Sequence, residues 1–530
     1  MKYTKSLVAA LAIASFAMTT SCDFDDFGDI NTTPNYPTEG YTYMLFQYAS
    51  VGSRNFIMTS SSYDPWGQEW SGYLSEAKNN QYGSFATTND FGSGSYYTGA
   101  IKNLTSIIEA NTNEETKNLL STTAFGSNEN QIAVATTLRA FYYMTISDIT
   151  GPIVYSEALQ AEDENFQPKY DKQSDVYAGL DKELNDVYGM FDTKNNLNNG
   201  NADIFFGGDI AKWKKFNATL RMMMAIKLAD VDPTTGKARF AKAFADGGME
   251  SVDDSFCYTF DVTYARSWFY AIGYQGYASR SNYFAPNKTL VDALKEYKDP
   301  RLFTYATIGI DKFAYLGSRP GASEKDFDAY FGIPCGLESN SAVADAKNIA
   351  CSTAPKYCVE DATYGLITTA RCKLVEAEAA VRGWISADAA TLYAEGIQAS
   401  FDFEAQSDKE FDPAQATDYI AAHPLPSSSD EALKEIVMQR FLAGFLTDGI
   451  EAWSDWRRFN IPTFPMYAGQ VNEGRYSYPQ RLMFNSTDYA TNEANIKAIL
   501  SDLSNADKGS SSKSTWGLLT TARAIATRCC

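Results

Sequence analysis

The chain has 530 residues, of which 14% are aromatic and 21% are charged, and its formal net charge at pH 7 is −20. A protein this acidic lacks the basic surface that attracts nucleic acids and anionic membranes, and it disfavours strongly anionic ligands. Its single histidine, His423 in an Ala-Ala-His-Pro stretch, excludes a multi-histidine zinc site, leaves little room for a catalytic triad, and is expected to be a structurally neutral loop residue.

The N-terminus has the layout of a secretory signal peptide. Lys2 and Lys5 precede an apolar or small run from Leu7 to Met18, and small polar residues follow it. The run is far shorter than the ~20 apolar residues that a membrane-spanning helix needs. The sequence therefore predicts an exported protein.

Cys22 follows the small residues directly and is similar to the lipidated cysteine of a bacterial lipobox, although Thr19 stands where Leu or Val is usual. The acidic cluster Asp23–Asp26 resembles the signal that sends Bacteroidota lipoproteins to the outer face of the outer membrane. We predict a signal peptide at 1–21 and a lipidated tether at 22–40. A cleaved signal with a chance cysteine is the alternative.

The stretch 56–93 is rich in Gly, Ser, Asn and aromatic residues and has no sustained period, which is typical of long loops and short strands. Four of its aromatic residues are candidates for ligand binding: Trp66, Trp70, Tyr73 and Tyr82. Trp and Tyr offer a flat apolar face with a polar edge, which suits the C–H face of a sugar ring. The spacing of Trp66 and Trp70 also fits a helix, so packing in the core is the competing interpretation.

Between residues 130 and 230 the apolar residues recur with the period of an α-helix. Three runs step by three or four residues, namely Ile132 to Ile149, Val176 to Val187 and Ile210 to Leu228. Gly151-Pro152 ends the first run, and Asp232-Pro233 follows the third. Helices of about 20 residues at intervals of roughly 40 are typical of degenerate tetratricopeptide-like repeats.

A second aromatic segment lies within the loop-rich stretch 250–350. Its candidate ligand-binding residues are Trp268, Tyr270, Tyr274, Tyr277, Arg280, Asn282 and Tyr283. Aromatic platforms combined with amide and guanidinium groups are what a sugar site needs, and the glycines in the segment argue against a helix. We therefore expect ligand contacts here more than in the first segment.

The cysteines form no metal-binding pattern. Cys335, Cys351 and Cys358 fall in one Gly/Ser/Ala-rich excursion, so a disulfide within this group is possible in an exported protein. Metal binding is disfavoured because the Cys-x-x-Cys spacing and histidine partners are missing.

Another helical run, Leu433 to Phe445, is expected to end at Asp448-Gly449, and the segment Glu451–Arg458 is expected to form a helix after it. Glu451 and Asp455 could be an acid–base pair for glycoside hydrolysis. Carboxylates four apart on one helix point the same way, however, so a structural role is favoured, with Trp453 and Trp456 docked on the core.

Several motifs, in this order along the chain, resemble the hallmarks of SusD/RagB-type proteins. They are Arg139–Tyr143, Asp148–Ala158, Trp213–Arg221, Glu376–Trp384, Tyr393–Ile397, Gln439–Phe441, Glu451–Arg458 and Tyr478–Arg481. Asp29–Asn35, after the lipobox, is similar to the starch-binding-associated branch. The resemblance runs from Cys22 to about Ile499, and the tail Ser514–Cys530 and the stretch 335–358 depart from it.

The resemblance implies a nutrient-binding lipoprotein of the outer-membrane surface and not an enzyme, with no cofactor and no metal. Members of the family lie as a lid on a SusC-type TonB-dependent transporter and deliver captured oligosaccharides to it, or peptides in some branches. It also implies a mostly α fold, in which four tetratricopeptide-like helix pairs pack against the transporter and an irregular half carries the ligand site.

We therefore expect one SusD-like domain over 41–530. Its helical repeats should lie mainly in 41–55, 94–230 and 372–460, and its loop-rich ligand-binding parts mainly in 56–93 and 250–350. Three functions compete at this point: binding of oligosaccharides, which clustered Trp favours, binding of peptides by the same architecture, and a surface glycoside hydrolase. Neither the sugar nor its linkage follows from the sequence.

Overall fold

The computed structural model describes residues 40–52, 66–77, 90–91, 93–263, 266–267, 270, 284–308, 323–347, 350–447, 449–465, 481–484 and 486–502. Helices dominate this part of the chain. In chain order they are α1 (Thr42–Val51), α2 (Trp66–Trp70), α3 (Lys102–Thr112, preceded by a π-turn over Tyr96–Ile101), α4 (Leu120–Thr123), α5 (Asn128–Thr150), α6 (Gln173–Tyr188), α7 (Ile210–Ile226), α8 (Pro233–Asp246), α9 (Lys288–Glu296), α10 (Leu302–Tyr305), α11 (Asn340–Lys347), α12 (Thr369–Val381), α13 (Ala389–Ser407), α14 (Gln415–Ala422), α15 (Ser429–Ala443), α16 (Gly449–Phe459) and α17 (Ser486–Asp502).

Helices α5 and α7 lie close to the predicted runs Ile132 to Ile149 and Ile210 to Leu228. The side chain of Ser127 accepts a hydrogen bond from the amide of Asn130 and so caps α5, which ends before Gly151 with its φ of 81°. Asp209 caps α7 by accepting from the amides of Ala211 and Lys212. Both helices therefore have local stop and start signals as well as an apolar face.

Successive helices pack against each other as pairs. Helix α3 packs on α5, α5 on α6, α7 on α8, and α12 on α13, and α12 also packs on α15. The predicted mostly α fold with tetratricopeptide-like helix pairs is confirmed. The run from Leu433 ends earlier than predicted, because α15 stops at Ala443 and Gly444–Thr447 form a turn before α16.

Aromatic rings fill the core between the helices. The ring of Phe216 on α7 stacks on Phe256 at 4.1 Å, and Phe141 on α5 meets Phe256 edge-on at 5.2 Å. Trp213 is fully buried beside them, and its indole N–H donates to Asp203 at 2.7 Å. Burying each such side chain stabilises the fold by about 1.5–3 kcal/mol, so this cluster ties α5 to α7.

The strands of the described residues are short and lie in two-stranded pairs. They are β1 (Leu74–Glu76), β2 (Asp90–Phe91), β3 (Phe256–Thr259), β4 (Phe284–Pro286), β5 (Ala306–Thr307), β6 (Ser352–Thr353), β7 (Thr363–Ile367) and β8 (Met483–Phe484). Pairs β1–β4, β3–β7 and β5–β6 are antiparallel, whereas β2–β8 is parallel. Each pair joins segments that are far apart in the sequence.

The structure has no disulfide between any two of Cys335, Cys351 and Cys358, so the bridge considered within this group is wrong.

His423 has a packing role. It follows α14 directly, and its ring lies 4.4 Å from that of Tyr419 and 5.1 Å from that of Tyr297. Each helix in the described residues is too short or too polar to span a bilayer.

Candidate functional site

The strand pair β1–β4 brings together two described residues, one before the stretch that carries Tyr82 and one after the second aromatic segment. Glu76 at the end of β1 is the partner of Phe284 at the start of β4. The chain runs from Glu76 towards Tyr82, and it arrives at Phe284 directly from Tyr283. Because the pair is antiparallel, the stretch that carries Tyr82 begins, and the second segment ends, at neighbouring positions of one small sheet.

A buried hydrogen-bond network holds this sheet in place. The hydroxyl of Ser75 donates to the carbonyl of Ile333 at 2.7 Å, and the amide side chain of Asn287 donates to the Ser75 hydroxyl at 2.9 Å. The backbone amide of Asn287 also donates to the carbonyl of Tyr73. Buried polar groups that are fully paired in this way fix one geometry, so the sheet is a rigid base for the two segments.

The start of the second segment is fixed separately on β7. The amide of Ser267 donates to the carbonyl of Glu360 at 2.8 Å, and the hydroxyls of Ser267 and Tyr364 share a hydrogen bond of 3.0 Å. The guanidinium of Arg266 lies 5.9 Å from the ring centre of Tyr270, which is half-buried. Both ends of the segment that carries the second aromatic cluster are thus attached to ordered strands.

Two candidate ligand contacts are core residues instead. Tyr73 is fully buried, stacks on Phe441 at 5.0 Å, and donates its hydroxyl to the Phe441 carbonyl at 2.9 Å. Trp70 is 4% exposed and meets Trp453 edge-on at 5.6 Å. Side chains packed in this way have no face left for a sugar. The competing interpretation of core packing therefore holds for Trp70, and the prediction that Tyr73 binds ligand is wrong for the same reason.

The other candidates divide by where they lie. The backbone of Trp66 begins helix α2, and nothing is described of its side chain. Outside the described residues lie Tyr82, Trp268, Tyr274, Tyr277, Arg280, Asn282, Tyr283 and the lipidation candidate Cys22. Among the candidates with described side chains, Tyr270 is the one that is not buried.

The carboxylates of α16 belong to buried ion pairs. Glu451 accepts from the ammonium of Lys227 at 2.7 Å, and Lys227 also donates to Asp148 at 2.6 Å. Burial raises the pKa of Glu451, and Lys227 opposes that shift. For Lys227 burial alone would lower the pKa, yet Asp148 and Glu451 raise it above its usual value. Glu451 is therefore held as one member of an internal charge triad.

Glu378 is the centre of a second buried network. It accepts from Arg440 at 2.7 Å, from Arg458 at 2.6 Å and from Arg382 at 2.9 Å. Burial alone would raise its pKa, but Arg458 and Arg440 hold the pKa well below its usual range. The carboxylate is fully buried and charged, and it joins α12 to α15 and α16.

Asp455 accepts a hydrogen bond from Arg371 at 2.8 Å and forms an ion pair with Arg440 at 3.1 Å. Glu451 and Asp455 are thus packed in ion pairs inside the protein, and neither lines an open site with the other. This arrangement favours the structural interpretation of α16 over the glycosidase pair. Trp453 and Trp456 dock on the core as predicted.

Sequence reasoning missed a pair of open cavities that share Lys356. One, of about 330 Å³, is lined by Phe303, Tyr330 and Phe411 among others. The second, of about 300 Å³, includes Tyr364 and Phe403. Their walls come from several segments that are separated by about 20 to 100 residues and contain no periodic or motif signal, so nothing local in the sequence marks the cavities.

The described residues hold no group of three His, Cys, Asp or Glu side chains placed to bind a metal ion.

Comparison with known proteins gives a match over most of the chain. Residues 34–485 match the model of the SusD-like family described as "Starch-binding associating with outer membrane". No curated protein is similar enough to count as a relative.

Solved structures show the same fold over nearly their full length. An outer-membrane protein of Bacteroides vulgatus, described as probably involved in nutrient binding, has 25% identity and a TM-score of 0.73, covering 90% of this chain and 100% of its own. A SusD homologue of Bacteroides fragilis has 22% identity and a TM-score of 0.75, with coverage of 90% and 100%. A chitin-binding SusD homologue of Flavobacterium johnsoniae has 22% identity and a TM-score of 0.68, with coverage of 88% and 98%.

Proposed function

The chain belongs to the SusD-like family of outer-membrane-associated binding proteins, and from that premise we propose that it captures neutral oligosaccharides at the cell surface for a transporter. The observation that carries this proposal is the β1–β4 pair. It places Glu76, just before the stretch with Tyr82, beside Phe284, just after the segment with Trp268, Tyr274 and Tyr277.

The ligand chemistry follows from the residues of these segments. Ring faces of Trp and Tyr stack on the C–H faces of sugars, and Arg280 and Asn282 offer donors and an acceptor for hydroxyl groups. The net charge of −20 disfavours anionic glycans. Starch binding in the family description and chitin binding by a structural neighbour support neutral glucose-based or N-acetylglucosamine-based chains.

The partner we propose is a SusC-type TonB-dependent transporter, contacted through the helical half. Exposed apolar side chains of that half support a protein contact, since Met44 and Tyr48 lie four apart on α1 and are 39% and 66% exposed. Lipidation at Cys22 would hold the protein at the outer membrane.

Affinity purification tests the transporter partner. Purification from detergent-solubilised outer membranes should recover a barrel protein, and repeated recovery of a lone monomer would contradict the proposal of a transporter partner.

Isothermal titration of the mature protein tests the ligand. Maltoheptaose and chitohexaose serve as probes, and a peptide mixture tests the competing ligand class. Trp268→Ala and Tyr277→Ala should each weaken glycan binding by about five-fold to over a hundred-fold, because a stacking ring supplies apolar contact of about 1–3 kcal/mol. Their melting temperatures should stay close to that of the unsubstituted protein.

Tyr48→Ala is the matched control, because Tyr48 is an exposed aromatic residue on α1 outside the proposed site. It should bind like the unsubstituted protein. Binding of peptides with no binding of either glycan would overturn the ligand class. Normal glycan binding by both segment variants would move the site elsewhere.

A further inference from the structure

The two cavities that share Lys356 lie between the same two stretches of chain. Residues 354–364 form one wall, and the end of α13 with the following residues, 403–411, forms the other. Their volumes of about 330 and 300 Å³ each reach the range of small-molecule sites. We refer to the two cavities together as the groove, with Lys356 as the residue that they share.

Lys356 is fixed in that position. Its ammonium pairs with the carboxylate of Glu404 and lies 4.8 Å from the ring centre of Tyr357. The Lys356 and Glu404 side chains are 10% and 2% exposed. A charge pair this enclosed keeps its geometry, so the floor between the cavities is rigid and polar.

The walls combine aromatic rings with polar groups of both signs. Phe303 and Phe411 contribute rings on one side of Lys356, and Phe403 contributes one on the other. The hydroxyl of Thr304 donates to Asp408 at 2.6 Å, which orients that carboxylate at the wall. A cavity with apolar ring edges and mixed charges suits a neutral polyhydroxylated ligand better than an anion or an apolar molecule.

The second cavity lies beside Ser267, the described residue that directly precedes the second aromatic segment. Tyr364, a wall residue of the second cavity, shares its hydrogen bond of 3.0 Å with Ser267, and Trp268 follows Ser267 in the chain. We propose that the groove is an extended subsite, which binds the further units of a long neutral oligosaccharide whose end is held by the aromatic segments. This inference rests on the proposed function.

Rim substitutions test the groove without removing a buried contact. Glu410 and Gln406 are exposed and line the first and second cavity respectively, so Glu410→Trp and Gln406→Trp should block one cavity each. Lys409 lies between them, is exposed, and lines neither cavity, so Lys409→Trp is the matched control. Melting temperatures establish that all three variants are folded.

Each variant is titrated with long probes, maltoheptaose and chitohexaose, and with short probes, maltotriose and chitobiose. The two rim variants should bind whichever long probe the unsubstituted protein binds about five-fold more weakly or worse, through lost contact area, and should bind the matching short probe normally. The control should bind both lengths normally.

Unchanged affinity for the long probe in both rim variants would overturn the subsite. An equal loss for both lengths would also overturn it, because the groove would then be the main site and not an extension. Failure of the proposed function is distinct from these results, since the unsubstituted protein would then bind neither length.

Discussion

At the scale of single residues, an aromatic side chain can be a ligand platform or a core residue, and sequence does not separate the two roles well. Tyr73 and Trp70 lie in a polar, glycine-containing stretch that is typical of a loop, yet both are buried. Their partners Phe441 and Trp453 are more than about 350 residues away in sequence, so no local pattern reveals the packing.

The ion pairs inside the core could not be predicted from the sequence either. Glu378, Arg440 and Arg458 were visible only as members of separate helices. Charged residues are almost never fully buried unless paired, and pairing across three helices cannot be inferred from spacing along one of them. The structure shows that these residues join three helices through buried ion pairs.

We predict that Glu378→Gln destabilises the protein by about 3–5 kcal/mol near pH 7, because three guanidinium groups lose their shared carboxylate. The folded pKa of Glu378 lies below its unfolded value, so its stabilisation is present above about pH 4.3 and is lost as the pH falls towards the folded pKa. Thermal unfolding at about pH 7 and about pH 3 measures both effects.

The difference in melting temperature between Glu378→Gln and the unsubstituted protein should therefore be smaller in acid than near neutral pH. Glu114→Gln is the control, because its side chain is 82% exposed and its pair with Lys117 contributes about 0–1 kcal/mol. Equal melting temperatures of Glu378→Gln and the unsubstituted protein near pH 7 would contradict the account.

At the scale of elements, the long helices could be predicted, whereas for the strands the sequence indicated only that short ones occur in the loop-rich stretches and not how they pair. A helix repeats its apolar face every three or four residues, so the run from Ile132 to Ile149 was sufficient to place α5. The strands are two to five residues long, and β1 pairs with β4 about 210 residues away. Pairing at such separations leaves no local period, so the pairing of β1 with β4 was not predictable.

Close approach of helices α12 and α13 depends on Gly396. A Cβ at this position would lie 2.6 Å from Cγ of the fully buried Leu374. We predict that Gly396→Ala destabilises the protein, since overpacking costs about 1–3 kcal/mol while the gain in helix propensity is about 0.5–1 kcal/mol. Urea denaturation provides the measurement.

Gly189 gives the matched control, because a Cβ there meets no atom within 4 Å and its φ is −73°. Gly189→Ala should leave the free energy of unfolding unchanged or raise it by about 0.4 kcal/mol or more. If both variants unfold at the same urea concentration, the α12–α13 contact is not as tight as the structure indicates.

At the scale of the whole molecule, a helical body carries the strand pair β1–β4, and we propose that a lipid at Cys22 tethers this body to the outer membrane. We predict that Cys22→Ala moves the protein from the outer-membrane fraction to the soluble periplasmic fraction, because acyl chains supply about 0.8 kcal/mol of membrane affinity per buried CH₂. Cell fractionation followed by immunoblotting detects the change.

Cys257→Ala is the control for that experiment. Cys257 lies on β3, where burial raises the pKa of its thiol to about 12 and keeps it unreactive. This variant should stay in the membrane fraction. Retention of Cys22→Ala there at the same level as the unsubstituted protein would count against lipidation.

Hydrogen–deuterium exchange with and without a saturating oligosaccharide tests the central claim most directly. If the β1–β4 pair brings both aromatic segments to one site, the ligand should slow exchange in 78–89 and in 271–283 together, with little change in α5 to α8. Slower exchange in only one segment, or only in the helices, would contradict a shared glycan site at the ends of β1 and β4.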